Sequence, residues 1–337
     1  MKKFIQFFFF FALILSVVAA VLGYRYYIFL ETPLKVDEQG SVFVIPKGTG
    51  VYKIANQLVD SDIVSSSTEF LIAVYSSGNA HKLKAGEYLI KPGSTPLDFI
   101  DQLRDGKVIQ YALTIVPGWT FNTLRTQIEK SSKIQHILTG LGVEDIMSKL
   151  GYPGEHPEGR FLPETYYYPA GTTDIAILQR AYHDLQEKLA QSWNTRDASN
   201  LTIKSPYEAL ILASIIEKET SITEEYTDIA GVYTRRLAKN MPLQADPTVI
   251  YGADKTDNGK ITAEMLANQN PYNTYQNTGL PPTPIALPSA RAIEAALNPK
   301  PGDSLYFVAK PDGKGHIFSE NLDAHNTAVA AYRKGLP

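Results

Sequence analysis

A long apolar run at the N-terminus constrains this chain more than any other feature. It extends from Phe4 to about Tyr24 behind Lys2 and Lys3, carries no charge, and is interrupted only by Gln6 and Ser16. About 21 residues at a rise of about 1.5 Å cover the ~30 Å hydrocarbon core of a bilayer, so a membrane-spanning helix is the expectation. Tyr24, Tyr26, Tyr27 and Phe29 come next, where an aromatic belt would meet the far interface. The two lysines should stay in the cytoplasm, leaving the bulk of the chain outside. The alternative is a cleaved signal peptide, for which Val17-Val18-Ala19-Ala20 offers small residues. The run is longer than a usual signal core, which favours an anchor over residues 1–30.

Beyond this run the chain is globular in character. Residues 31–40 are polar, hold Pro33 and read as a linker. Hydrophobic content of 44% supplies a core, and a net charge of -3 without a long basic run argues against nucleic acid as partner. Cysteine is absent, which excludes disulfides and thiolate metal sites.

A weak repeat organises the next stretch. Val42–Leu58, Glu87–Leu103 and Ala112–Ile128 each run through a β-type segment, Pro and Gly, then Thr or Ser, then a helical apolar pattern. An alternating strand should end at each Pro/Gly turn, with a hydroxyl capping the helix behind it. The first two copies enclose a further helical segment, about 67–76, giving strand–helix–helix–strand. That order resembles a LysM module, a small glycan-binding unit; a plain α+β spacer reads equally well from fold alone. Gly140, Gly142, Gly151 and Pro153 break up residues 129–160, so a boundary is expected near Gly154, with an α+β region over 41–153. The remainder, 154–337, reads as mainly helical. Asp174–Leu189 is amphipathic, Leu305–Lys310 and His316–Ser319 form a hairpin about PDGKG, and Asn321 caps a last helix reaching about Arg333.

The sharpest local signal is Ser205–Thr220, SPYEALILASIIEKET. Ser205 as cap, Pro206 at the first helical position and Glu208 three after the cap start a helix. At about 100° per residue, Glu217 shares a face with Leu210, Ala213 and Ser214, while Glu219 lies about 200° round. The two glutamates therefore cannot both point into one site. Small Ala213 and Ser214 suggest open space over Glu217, and a carboxyl ending a buried helix is desolvated, as suits a general acid. The competing reading is a solvated last turn.

Three segments carry polar and aromatic groups without a core period: Leu243–Gly252, Asn270–Ser289 and Gly315–Asn326. Gln244, Asp246, Tyr251, Tyr272, Asn273 and Tyr275 supply the flat faces, amides and carboxyls that bind sugars. Pro271, Gly279, Pro281, Pro282 and Pro284 permit the alternative that these loops merely turn. No metal or other cofactor is expected: His-Glu-x-x-His is lacking, and His316 with His325 are too few ligands. Gly-x-Ser-x-Gly is lacking too, and Ser214 sits within a helix.

With these blocks in this order, the chain resembles the YceG-like family of endolytic murein transglycosylases. The resemblance rests on Glu158–Tyr168, Leu212–Thr220, Leu243–Gly252, Tyr272–Ile285 and Gly315–Asn326. It departs from the family pattern at Glu164, Ala245 and Thr283. The resemblance implies an α+β protein with an N-terminal transmembrane helix, a LysM-like subdomain and a mainly helical catalytic domain with a β-hairpin. It implies a single-pass protein of the inner membrane, its catalytic domain on the outer, periplasmic face, near peptidoglycan synthases. It implies a lyase that needs no cofactor and cuts nascent glycan strands between N-acetylmuramic acid and N-acetylglucosamine. Glu217 is then the expected catalytic acid, closing a 1,6-anhydro ring. A water-using muramidase would need a second carboxylate, for which Asp246 or Glu164 are available, and a non-catalytic glycan-binding scaffold is the reading from another class.

Overall fold

The computed structural model describes residues 2–253 and 261–335 as a mixture of helix and strand. They form two compact units, within 1–111 and 112–337.

In the first unit the order is α1 (Lys2–Glu31), β1 (Ser41–Ile45), α2 (Val51–Asp60), α3 (Ser67–Ser76), β2 (Gly86–Ile90) and α4 (Pro96–Asp105). The expected strand–helix–helix–strand order is thus present. β1 and β2 pair antiparallel, Ser41 opposite Ile90 and Ile45 opposite Gly86. Because side chains alternate across a strand, Phe43, Ile45, Tyr88 and Ile90 face the core while Val42, Val44 and Leu89 stay exposed. Ile54, Ala55 and Leu58 of α2 and Phe99, Ile100 and Leu103 of α4 complete that core at the expected helical spacing. Phe99 meets Phe43 and Tyr88 edge-on, ring centres 5.8 and 6.1 Å apart.

The helix α1 is long and apolar enough over Phe4–Glu31 to cross a membrane, and its apolar length is not covered by the rest of the protein. The side chains of Lys2 and Lys3, which carried the expected orientation, lie outside the described ones. Two expectations at the far end change. Of the expected aromatic belt, Phe29 is buried in the core of this unit and Tyr26 bonds Ser76 Oγ at 3.2 Å, so both dock the helix rather than face an interface. Tyr24 and Tyr27 remain exposed. Residues 31–40 are not a free linker: Leu34 is buried, its N–H donates to Ser94 O (2.8 Å), and Lys35 N–H donates to Ile63 O (3.0 Å).

The second unit continues with β3 (Gln110–Thr114), α5 (Phe121–Glu129), β4 (Ile134–Gln135), α6 (Val143–Leu150), β5 (Thr165–Pro169), β6 (Thr172–Thr173) and α7 (Asp174–Asn194). Then come α8 (Pro206–Glu219), α9 (Tyr226–Ala238), α10 (Asp246–Gly252), α11 (Ala263–Ala267), α12 (Ala290–Leu297), β7 (Tyr306–Ala309), β8 (His316–Ser319) and α13 (Leu322–Gly335). Residues 112–153, which the glycine pattern grouped with the preceding region, pack within this unit instead. β3 pairs with β5, Ile115 N–H donates to Glu164 O (2.9 Å), and Phe121 stacks on Phe161 at 5.4 Å.

All three strand–turn–helix repeats are present. Gly48, Gly93 and Gly118 take φ of +80°, +81° and +79°, the left-handed conformation that glycine adopts without a Cβ penalty. Thr95 and Thr120 cap their helices through the hydroxyl, but the first copy starts on Gly50 with no side-chain cap.

At the centre of the second unit lies α8. Ser205 Oγ accepts from Glu208 N–H (3.1 Å), whereas the Glu208 carboxylate accepts from Lys204 N–H (2.5 Å) and not from the cap itself. Leu210 to Ile216 are all buried, so this helix is apolar all round because α7, α9 and α12 surround it. The hairpin β7–β8 sets Tyr306 opposite Ser319, and Asn321 Oδ1 accepts from Ala324 N–H (3.0 Å) to cap α13.

Candidate active site

The last turn of α8 sends Glu217 and Glu219 into different surroundings, as helix phase requires. Glu217 Oε2 accepts from Ser289 N–H (2.9 Å) and Ser289 Oγ–H (2.5 Å), and Oε1 accepts from Tyr226 Oη–H (3.1 Å). Ser289 caps α12, so this carboxylate sits at a helix N-terminus, where the macrodipole favours negative charge. The open space expected over Glu217 is filled. Ala213 and Ser214 are fully buried, and Ser214 Oγ accepts from Ile285 N–H (3.0 Å). Their small side chains admit the segment leading into α12, which packs closely along α8. Glu217 lines neither the cavity at Glu219 nor the larger one at Lys218.

Glu219 lines a cavity of about 360 Å³ together with Arg236, Gln244, Asp246, Tyr275 and Asn326. Its Oε2 accepts from the buried Tyr233 Oη–H at 3.0 Å. Burial pushes its carboxyl up to about 7, and the charge of Asp246 adds to that rise. The Tyr233 bond and the Arg236 guanidinium pull the other way but do not cancel it. A carboxyl raised toward neutrality can both give and take a proton. Asp246 Oδ1 accepts from Tyr275 Oη–H (2.6 Å).

Arg236 builds the wall. It is 7% exposed; Nη1 donates to Leu243 O (2.9 Å) and Gln244 Oε1 (3.2 Å), and Nε to Leu305 O (2.6 Å). Gln244 is held at φ +52°, a left-handed conformation unusual for a residue with a Cβ. Its N–H donates to Thr274 O (3.0 Å), and the Arg236 contact fixes its amide at the cavity. A strained residue pinned from two sides is a frequent companion of a binding site.

The six sequence-predicted sugar contacts divide. Gln244, Asp246 and Tyr275 gather with Glu219. Tyr251 and Tyr272 line the larger cavity, of about 820 Å³, with ring centres 4.9 Å apart. Asn273 reaches neither: it is fully buried, and its Nδ2 donates to Met265 O (3.2 Å), Leu266 O (3.1 Å) and Asn268 O (2.6 Å). That makes it a clamp on its own loop. Glu164 is exposed and lines neither cavity. His316 Nδ1 pairs with Glu225 Oε2 at 2.6 Å and His325 stacks on Tyr306 at 5.2 Å, so the two histidines serve different neighbours. Among the described residues no group of three or more His, Asp or Glu could hold a metal ion.

Three residues of this arrangement escaped sequence reasoning. Glu219 was set aside for its phase opposite small residues. Arg236 stands beside Arg235 near a helix end, where two basic residues normally face water. Tyr233 lies on α9 in an apolar pattern that reads as core.

Comparison with known proteins adds an independent line. The model of the YceG-like family matches residues 43–331. A Bacillus subtilis (strain 168) protein named endolytic murein transglycosylase is 30% identical over 321 residues, covering 90% of this chain and 88% of its own length. One of the same name from Streptococcus pneumoniae serotype 2 is 29% identical over 346 residues, 92% of this chain and 62% of that longer protein. The crystal structure of a YceG-like protein from Listeria monocytogenes superposes with a TM-score of 0.51 at 26% identity, over 86% of this chain and 99% of that one.

Proposed function

The chain belongs to the YceG-like family, and from that premise we propose that it is an endolytic lytic transglycosylase of peptidoglycan with Glu219 as its acid. The observation that carries the residue assignment is the Glu219 carboxyl: it stands at a polar, aromatic-lined cavity, with burial raising it to about 7. Glu217, which the small-neighbour argument favoured, instead has both oxygens engaged by Ser289 and Tyr226.

The chemistry needs only one carboxyl. Protonated Glu219 gives its proton to the glycosidic oxygen between N-acetylmuramic acid and N-acetylglucosamine. The C1–O bond breaks and the N-acetylglucosamine leaves with a free 4-hydroxyl. Glutamate then takes the proton of the muramyl C6 hydroxyl, O6 bonds to C1, and a 1,6-anhydro ring closes. The acid is restored, and no water is consumed. Gln244 and Tyr275 line the same cavity as Glu219 and offer an amide and an aromatic face that a sugar can use. Cleavage within a nascent strand ends its elongation, and α1 would hold the enzyme beside the membrane where synthases extend that strand. On this reading the N-terminus is cytoplasmic, the second unit lies on the outer face, and the LysM-like first unit binds glycan.

Asp246 supports a second reading. It shares the cavity with Glu219 and raises its pKa, so a muramidase with Asp246 activating water has its two carboxylates. Mass analysis of glycan strands digested by the full chain in detergent separates the two. Anhydro-muramyl ends, lost in Glu219→Gln, support the lyase; reducing ends support the muramidase. Unimpaired cleavage by Glu219→Gln would refute the residue assignment.

A further inference from the structure

Cleavage by Glu219 uses the smaller cavity and leaves the larger unassigned. The two are built from neighbouring positions of the same elements. At the end of α8, Glu219 lines the smaller and Lys218 the larger, their side chains diverging by about 100°. α10 gives Asp246 to one and Pro247, Ile250 and Tyr251 to the other, and the loop after α11 divides Tyr275 and Tyr272 in the same way. A ligand lying at Glu219 therefore has the larger cavity one residue away.

The charge of that cavity is distinctive. Lys218 Nζ reaches only Gly118 O, at 3.4 Å, and among the described residues no carboxylate stands within ion-pair distance of it. The one carboxyl among the lining residues, Glu158, is 4% exposed and engaged by Phe121 N–H (2.9 Å) and Tyr251 Oη–H (3.1 Å), and burial favours its neutral form. The cavity thus offers an unpaired cation above small apolar surfaces, with Thr120 and Asn122 as further polar groups. The sugar backbone of a murein strand carries no charge and has no use for that cation. Its negative charges sit on the short peptides that branch from the muramyl lactyl groups.

We propose that the cavity lined by Lys218, Tyr251 and Tyr272 receives the peptide stem of a muramyl residue, with Lys218 pairing to a stem carboxylate. The stem is an acidic peptide rich in small side chains, which suits walls made by Pro247, Ile250 and Ile285. This rests on the murein reading of the Glu219 site and names what lies beside the scissile bond: the enzyme reads the stem as well as the strand.

The test is isothermal titration of the full chain in detergent with a synthetic stem tetrapeptide, L-Ala-γ-D-Glu-diamino acid-D-Ala. Saturable binding is expected, weakened at least about tenfold in Lys218→Glu and largely kept in Lys218→Arg, as reversal and retention of the charge that pairs with the stem carboxylate require. A companion measurement compares cleavage of peptide-bearing strands with strands stripped of stems; the preference for the former should fall in Lys218→Glu by a similar factor. No saturable peptide binding, or equal binding by wild type and Lys218→Glu, overturns the proposal. Peptide binding is read without turnover, so a failure of the enzyme assignment would show separately, as absence of strand cleavage by the wild type.

Discussion

The pH dependence of strand cleavage probes the Glu219 assignment most directly. If protonated Glu219 is the acid, kcat/KM on uncrosslinked glycan strands tracks its protonated fraction in the free enzyme. With the carboxyl at about 7, that fraction is about 0.9 at pH 6 and about 0.1 at pH 8, a fall of about tenfold. A carboxyl at its ordinary value of about 4.5 would be on the steep limb throughout, falling about 100-fold over the same interval with no bend near neutrality. The position of the bend should also respond to its neighbours in opposite senses. Asp246 raises the Glu219 pKa by its charge, so Asp246→Asn should move the bend to lower pH. Tyr233 donates to the ionised carboxylate and so lowers the pKa; Tyr233→Phe should move it to higher pH. Both changes preserve side-chain volume. Profiles measured by counting chain ends released from labelled strands, between about pH 5 and pH 9, give all three bends. The reasoning fails if the bend is absent, or if both substitutions move it the same way. It fails equally if Glu217→Gln rather than Glu219→Gln removes activity.

Glu217→Gln should act on stability, because Glu217 holds the N-terminus of α12 through Ser289. Loss of its charge should cost about 1–2 kcal/mol, readable as a fall of a few degrees in the calorimetric midpoint, and a midpoint unchanged from wild type would contradict the role. Glu158 is buried with a carboxyl raised to about 7. Its folded pKa exceeds the unfolded value, so its contribution is fully present below about pH 4.5 and is lost as pH rises through about 7, up to about 3 kcal/mol. Glu158→Gln should flatten the denaturation midpoint across that window; an undiminished slope would show that the carboxyl ionises freely. Asn273→Ala removes the one amide NH2 that serves the carbonyls of residues 265, 266 and 268. It should destabilise by about 2 kcal/mol, and normal stability with weakened sugar binding would return Asn273 to the sugar contacts.

The features legible in the sequence are those decided within a turn or two of chain. The three strand–turn–helix repeats were readable because Pro followed by Gly stops a strand locally, and a left-handed glycine stands at each turn. The start of α8 was readable from Ser205 and Pro206, the final hairpin from PDGKG. The unit boundary was not. It depends on Ile115 meeting Glu164 and on Phe121 meeting Phe161, contacts spanning some forty residues or more that glycine spacing does not encode. The docking of Leu34 and Phe29 was hidden for the same reason.

The choice between Glu217 and Glu219 shows where local reading stops and why. Helix phase separated the two correctly, since that is geometry internal to one helix. Choosing between them required knowing what small neighbours mean. A small residue on a buried helix leaves either space for a ligand or room for another segment to approach, and both give the same sequence. Here Ser214 Oγ takes the N–H of Ile285 and the chain turns into α12 over it, so the space is consumed and Glu217 becomes part of a helix junction. Glu219, facing the bulkier side, borders a cavity whose wall Arg236 ties to residues 242–244 and 305. Arg236 is therefore the residue on which the candidate site depends without touching a reacting atom. A lysine there could not bond three carbonyls and the Gln244 amide through a rigid planar fork, so Arg236→Lys should release Gln244 from its left-handed conformation. The expected signature is a larger rise in KM than fall in kcat, since the acid itself is untouched; an equal loss in kcat with KM unchanged would place Arg236 in the chemistry instead.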